Sequence, residues 1–275
     1  MALTVNTNTS SLNAITNLNR TTRSMAGNFE RISSGLRIAK AADDAAGLGV
    51  AENLDASERS ARQAMRNTND GISVIQTAEG ATAEVSSIVK RMRELAVQSA
   101  SETLATTERS YIQDEYEALA SEVERIAQVT EFNGIQLTDG TLSSIGVQVG
   151  IGATGDDQID IAMGNLASTV LGVDTTSIDM SSASGASSAI TTLDAALDTL
   201  NQYRSDYGST QNRLDSALNN LEVYSENLAG AESQIRDADF AFETAEMAKF
   251  QVMQQAGISV LGQANQISSG VMNLL

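Results

Sequence analysis

Any chemistry in this chain has to be done without imidazole or thiolate, because the 275 residues include no His and no Cys. Nucleophilic Cys and Ser–His pairs, the usual zinc ligands and disulfides are therefore closed to it. General acid–base work would fall to carboxylates, Tyr or Lys. Asp43 and Asp44 open an apolar-periodic run, where carboxylates satisfy the free N–H groups and the dipole of a helix start; capping accounts for them better than metal or proton chemistry. Asp156, Asp157 and Asp160 fall in what reads as a hairpin turn with no apolar pocket signal. Just before them, GIGATG (Gly150–Gly155) satisfies G-x-G-x-x-G, with Asp174 further on. That motif holds a pyrophosphate only where its glycines turn a strand into a helix. Here the following DDQIDI alternates with period two, so a strand follows, and neither a nucleotide nor any other cofactor is expected.

The charge balance narrows the partners. Asp plus Glu outnumber Lys plus Arg by 35 to 17, for a net charge of -18, which disfavours nucleic acid and anionic membranes, whose attraction is to basic side chains. No run of 18 apolar residues suggests membrane insertion. The opening MALTVNTNTSS has neither a basic n-region nor an apolar h-region, so the chain is expected to be cytosolic or to leave the cell without a cleaved signal peptide. Hydrophobic residues make up 41%, enough for a sizeable core, but there is no Pro and no Trp and only 4% aromatics. Nothing forces helices to stop and little bulk is available for a compact centre, which favours long thin helices.

The pattern along the chain agrees. The last 25 residues, Gln251–Leu275, carry no charge, and Phe250, Met253, Gly257, Val260, Ala264, Ile267, Val271 and Leu274 follow heptad spacing. Burying the seven apolar members yields roughly 10–20 kcal/mol, against about 1–2 kcal/mol of backbone entropy for every residue ordered, so this helix needs a partner. The first 19 residues are equally uncharged, and Ile15, Leu18, Thr22, Met25, Phe29, Ile32 and Leu36 form a second seam on a helix expected over Thr9–Ser34. A linker follows over Glu30–Gly47, then a long helix from about Ala45 to Ser101, with Val74, Ala78, Ala81, Val85, Ile88, Met92 and Leu95 in heptad register. A short connection leads to a second helix with Ile112, Tyr116, Leu119, Val123 and Ile126, expected as its antiparallel neighbour. Asn133-Gly134 and Asp139-Gly140 are turn dipeptides, and alternation at Ile145, Val147 and Val149 and at Ile159, Ile161 and Met163 predicts short hairpins. Thr175–Ala189, rich in Ser, Ala and Gly, reads as a loop or a domain-insertion point. From Ile190 to Ile235 the heptad period returns as one long helix, with a second linker around Arg236–Phe240.

These elements define a mainly α fold: a long antiparallel helical coiled-coil bundle with a small β-hairpin region and with the N- and C-terminal helices paired. The central helices can serve one another as a three-helix bundle. The terminal pair cannot cover its charge-free outer faces, and large uncharged surfaces are usually interaction sites, so self-association through the ends is expected. An ordinary amphipathic helix at each end would carry charge on its outer face. A signalling coiled coil would show charged helix ends or an adjoining membrane span, and neither is present.

Five stretches carry a family resemblance: ERISSGLRIAKAADDAAG (Glu30–Gly47), RNTNDGISVIQTAEGA (Arg66–Ala81), RMRELAVQSA (Arg91–Ala100), EFNGIQL (Glu131–Leu137) and QQAGISVLGQANQISSGVMNLL (Gln254–Leu275). Together they resemble bacterial flagellins, the filament subunits of the flagellum, over nearly the whole chain. The resemblance implies a non-enzymatic structural protein that polymerises with itself. Residues 1–43 with 238–275 would form the inner core, and residues 44–237 a helical domain with β-hairpins at about 132–175. Outer insertion domains would be absent near 176–189. Inner-core self-assembly would use Ile15, Leu18, Met25, Phe29, Ile32, Phe250, Met253, Val260, Leu261, Ala264, Ile267, Val271 and Leu274. Also implied are an extracellular location in the flagellum, export by the flagellar secretion apparatus without signal cleavage, an export chaperone on the C-terminal segment, and filament cap and hook-junction proteins as partners. RMRELAVQ resembles the site read by the animal Toll-like receptor for flagellin, with Arg91, Leu95, Gln98 and Glu115 at the matching positions; solvated or seam roles account for each of them equally well.

Overall fold

The computed structural model describes residues 7–272, and their side chains through Gln266. Its helices are α1 (Thr9–Ser34), α2 (Ala45–Ser99), α3 (Thr106–Val129), the single turn α4 (Ser168–Leu171), α5 (Ala183–Arg236) and α6 (Phe240–Met272). Strands β1 (Glu131–Phe132) and β2 (Ile135–Gln136) pair antiparallel, as do β3 (Ser144–Gln148) and β4 (Gln158–Ala162). The expected class, mainly α with small hairpins and paired terminal helices, is the one the chain adopts. Without Pro, α2 runs for 55 residues and α5 for 54, each about 80 Å at 1.5 Å per residue. The chain divides into two compact units, Met1–Glu58 with Glu226–Leu275 and Arg59–Ser225; both breaks fall inside the long helices.

In the unit spanning 59–225, core composition changes along the helices. Val85, Val89, Met92, Leu95 and Ala96 of α2 pack with Ile112, Tyr116, Val123 and Ala127 of α3 and with Leu193, Ala196 and Leu200 of α5. This is the three-helix seam that the heptads predict. Next to it, Val74, Ile75 and Ala78 meet Val147, Ile159 and Ile161 from the β3–β4 hairpin, with Tyr207 and Leu214 of α5. The hairpin fills the position that α3 occupies in the first cluster. Alternation places Ile159 and Ile161 inward and their neighbours outward along β4, the period-two logic of a half-buried strand. A third cluster is narrow, Ala61 and Ala64 against Leu221, which lets two helices approach closely.

Two buried phenols close this core. Tyr116 donates to the Val173 carbonyl (2.8 Å), and the Tyr207 oxygen accepts from the Gly164 N–H (2.9 Å). Burial pushes both hydroxyls above the ordinary tyrosine value. Asn133 and Gly134, both at positive φ (50° and 77°), form the tight turn between β1 and β2, the conformation for which Asn-Gly is selected.

The start of α5 corrects the sequence reading of a loop over Thr175–Ala189. The helix begins at Ala183, where the Ser182 hydroxyl accepts from the Gly185 N–H (3.1 Å), and Ala186 and Ala189 are buried. Small side chains continue the seam row of Leu193 and Ala196 there, so the row persists where apolar bulk fades.

In the other unit the sequence supplies caps. The Asp44 carboxylate accepts from the N–H groups of Ala46 (3.0 Å) and Gly47 (2.9 Å) and so caps α2, while Asp43 closes the preceding turn on Lys40. Asp239 does the same for α6 through Ala241 and Phe242. The two linkers lie antiparallel, bridged at Leu36 and Asp237, with Arg37 N–H on the Arg236 carbonyl (2.7 Å) and Ala238 N–H on that of Gly35 (2.9 Å).

Candidate self-assembly surface

Helices α1 and α6 run antiparallel, and polar groups fix both ends of the pair. At one end Asn8 Nδ2 donates to the Ala264 carbonyl (2.8 Å) and Ser11 Oγ to Asn265 Oδ1 (3.0 Å). At the other, Glu243 is 4% exposed and meets Arg31 at 3.5 Å, with Asn28 beside it. Between them the facing rows are Ser11, Ala14, Leu18, Thr21, Met25, Asn28 and Ile32 on α1, and Glu243, Met247, Phe250, Gln254, Gly257, Leu261 and Ala264 on α6, all buried or half-buried. Gly257 faces Leu18 across the pair: a Cβ there would stand 3.3 Å from Leu18 Cδ1, a tight contact that a small shift of that side chain would relieve.

Both helices keep a heptad-spaced contact row, and it takes in part of the residues expected for self-assembly. Of the expected self-assembly residues, Leu18, Met25, Ile32, Phe250, Leu261 and Ala264 face the partner helix. Ile15 (42% exposed), Phe29 (66%), Met253 and Val260 (53%) lie on uncovered flanks. The side chains of Ile267 and Val271, and Leu274 altogether, lie outside the described residues. Small and polar residues (Ser11, Ala14, Thr21, Asn28, Gln254 and Gly257) share the inner row with Leu18, Met25, Ile32, Phe250 and Leu261, so several large apolar groups are left on the outside.

Leu12, Val252, Ile258, Phe240 and Phe242 are exposed as well. Among the described residues of this unit, the buried hydrophobic side chains are Ile38, Ala51 and Ala264, and all three core clusters lie in the other unit. Among the described residues the pair thus leaves many large apolar side chains in solvent, unlike an ordinary amphipathic helix, whose outer face is polar.

The other candidate residues are placed as follows. Arg91 and Glu115 are exposed and bonded to each other (2.9 and 3.1 Å), with Glu94 also on Arg91 (3.0 Å); these carboxylates push the guanidinium above its ordinary value. Gln98 is exposed. Leu95 is a correction: at 1% exposure it sits in the largest cluster, off the surface that carries the other three, because it faces α3. GIGATG loops between the antiparallel strands β3 and β4 rather than opening a long helix. Its glycines make room for Asp157: a Cβ at Gly150 would stand 2.0 Å from that carboxylate. Asp157 accepts from Thr154 N–H (3.1 Å) and Oγ1 (2.6 Å), bonds that hold its carboxyl below the usual carboxylate range. Among the described residues no group of His, Cys, Asp or Glu could hold a metal ion, and no helix is long and apolar enough to cross a membrane.

Fold and surface together define a helical structural protein. Residues 5–143 match the bacterial flagellin N-terminal helical region, and residues 190–275 the bacterial flagellin C-terminal helical region. A flagellin of Halalkalibacterium halodurans is 41% identical across 98% of this chain and 99% of its own length. The flagellar filament 33 kDa core protein of Treponema phagedenis is 38% identical, again over 98% and 99%. The crystal structure of Bacillus cereus flagellin superposes with a TM-score of 0.50 at 32% identity, covering 57% of this chain and 88% of that one.

The chain belongs to the bacterial flagellin family. It is a structural subunit of the flagellar filament, and so an extracellular protein.

Proposed function

We propose that the α1–α6 pair is the element through which copies of this subunit join, within an inner core made of residues 1–43 and 238–275. The observation that carries this reading is the distribution of apolar bulk: Leu12, Ile15, Phe29, Val252, Met253, Ile258 and Val260 are all exposed, while the inner row contains Ser11, Thr21, Asn28 and Gln254. Covering such a surface with neighbouring copies supplies the hydrophobic free energy that the isolated pair lacks. Self-assembly residues are then of two kinds. Leu18, Met25, Ile32, Phe250, Leu261 and Ala264 hold the pair together, and Ile15, Phe29, Met253 and Val260 meet other copies. Deleting residues 251–275 is expected to leave a soluble bundle that forms no filaments in electron micrographs. Filaments formed equally well without them would refute the reading.

The remaining partners follow from the same surface. A charge-free segment with marginal helical stability suits export in an unfolded state, and before export it is the part an export chaperone would cover. The cap and hook-junction proteins would engage the same terminal helices at the filament ends. The exposed Arg91–Glu115 pair and Gln98 offer a polar patch on α2 and α3 for the animal Toll-like receptor, with Leu95 acting only through the packing beneath. Substituting Arg91 with Ala should weaken receptor activation by monomer and leave thermal stability unchanged; equal activation would exclude the patch.

A further inference from the structure

Asparagine is chemically unstable where its carboxamide is free and the next main-chain nitrogen can reach Cγ, which is easiest when the next residue is glycine and no Cβ hinders the approach. Asn133 is the one asparagine of the sequence that precedes a glycine. It is exposed, as is Gly134, and among the described residues no hydrogen bond engages the Asn133 carboxamide or the Gly134 N–H. Nothing lies within 4 Å of the Cβ position of Gly134, so solvent reaches both groups.

The turn also holds half of the reacting geometry. With φ of 50° at Asn133 and 77° at Gly134, it is the two-residue hairpin turn in which both central residues take positive φ. The other common hairpin turn keeps positive φ at the first residue and takes negative φ at the second. A flip of the single peptide between them converts one turn into the other and brings ψ of the first residue to about −120°. At that ψ the Gly134 nitrogen eclipses Asn133 Cβ and stands within reach of Cγ. Glycine accepts either sign of φ and both turns suit the twist of a hairpin, so the flip leaves the β1–β2 pairing in place. Other sites lack this freedom. Asn165 Oδ1 accepts from the Ala167 N–H (2.9 Å), and the next N–H, that of Leu166, is committed to the Thr138 carbonyl (2.8 Å). Asp139 precedes Gly140, but its carboxylate accepts from the Thr141 N–H (2.9 Å) and Oγ1 (2.7 Å), and an ionised carboxylate is a poor electrophile. Asn69 and Asn219 lie inside α2 and α5, where the following N–H belongs to the helix ladder.

We infer that Asn133 is a site of spontaneous deamidation, converting to isoaspartate and aspartate through a cyclic imide formed with Gly134. The Gly134 nitrogen gives its proton to hydroxide and bonds to Asn133 Cγ; the Cγ–Nδ2 bond breaks and ammonia leaves. Water then opens the ring. Addition at Cγ releases the nitrogen from the side chain and gives aspartate. Addition at the main-chain carbonyl carbon breaks the original peptide bond and gives isoaspartate, whose main chain runs through Cγ. Nothing is oxidised or reduced, and solvent is the only co-reactant. Either product adds a negative charge to a chain already at -18, in a cleft that Asp70 also lines. Isoaspartate in addition lengthens by one atom a turn that closes only two residue pairs. Phe132 and Leu137, which flank that turn and pack in the second core cluster, are then held less firmly.

The test uses the full-length subunit, aged at neutral and at mildly alkaline pH, both folded and unfolded in urea. Peptide mass spectrometry reads the amide-to-acid mass gain at each asparagine, and a protein isoaspartyl methyltransferase labels isoaspartate. In the folded chain Asn133 should convert at least tenfold faster than any other asparagine, with isoaspartate the larger product and a rate that rises with pH, because the attacking nitrogen must lose its proton. Asn133→Gln, which cannot close the five-membered ring, should abolish the methyltransferase signal. Conversion of folded Asn133 no faster than that of Asn165, or more than tenfold slower than in urea, overturns the inference, since the turn would then protect the residue. Hydrogen exchange on the aged protein reads the structural consequence: the Leu137 N–H, bonded to the Thr130 carbonyl (3.0 Å), should exchange faster in the isoaspartate form, and unchanged exchange there would overturn the loosening of the hairpin.

Discussion

Truncating Phe29 to Ala separates a role between copies from a role within one. In the isolated subunit this side chain is 66% exposed, and surface substitutions of that kind change stability by about 0.5 kcal/mol or less; the better helix propensity of Ala offsets part of even that. Monomer melting should stay put. In the filament the same ring is covered. Phenylalanine buries about 150–250 Å², and removing the two-thirds that the monomer leaves in water, at about 25 cal/mol per Å² and allowing for the methyl that remains, costs about 2–3 kcal/mol. Since 1.4 kcal/mol is tenfold in an equilibrium constant, the critical concentration for polymerisation should rise roughly 30- to 100-fold. Sedimentation of assembled polymer across a series of subunit concentrations reads this directly. A lowered melting temperature with an unchanged critical concentration would refute the reasoning, because it would place Phe29 in the fold of the single chain.

Three further outcomes concern the unit spanning 59–225. Leu193→Ala, at a fully buried position in the largest cluster, should cost about 2–5 kcal/mol in urea denaturation, without displacing the α1–α6 contact rows. Tyr207→Phe strips the Gly164 N–H of its acceptor in a buried setting and should cost about 1–3 kcal/mol, whereas an exposed Tyr111→Phe should be neutral in the same assay. Alkaline stability follows from the two buried phenols. Both are held protonated in the folded chain, so above the unfolded tyrosine value of about 10 the unfolded chain binds fewer protons and stability falls as pH rises. Circular dichroism against pH should show unfolding set in above that value, and later in Tyr116→Phe.

Much of this was legible in the sequence, and what was not has a common cause. Helix α1 is bounded by a capping Asn8 and by Gly35 at positive φ, and its ends follow from residue types alone. The antiparallel α2–α3–α5 seam follows from heptads with large apolar members. Reading fails where burial is done by small or polar side chains. Ala186 and Ala189 extend the α5 seam through a stretch whose Ser and Gly content looks like a loop. In the terminal pair, Ser11, Thr21, Asn28 and Gln254 lie against the partner while Ile15, Phe29, Met253 and Val260 do not. A heptad scan ranks the large residues first and so groups the flanking Ile15, Phe29, Met253 and Val260 with the contact row of Leu18, Met25, Ile32 and Phe250. The signal that could have found it is the heptad-spaced row of small and polar residues Ala14, Thr21 and Asn28 on α1. Leu95 is the converse case: a motif match pointed outward, while the heptad it shares with Met92 pointed inward.

Hydrogen exchange compared between dilute subunit and assembled filament tests the central claim most directly. If the terminal pair orders fully only among neighbours, amides of α1 and α6 exchange quickly in the subunit and become protected on assembly. Those along Val85–Leu95 and Leu193–Leu200 should be protected in both. Strong protection of α1 and α6 already in the dilute subunit, unchanged in the filament, would contradict it.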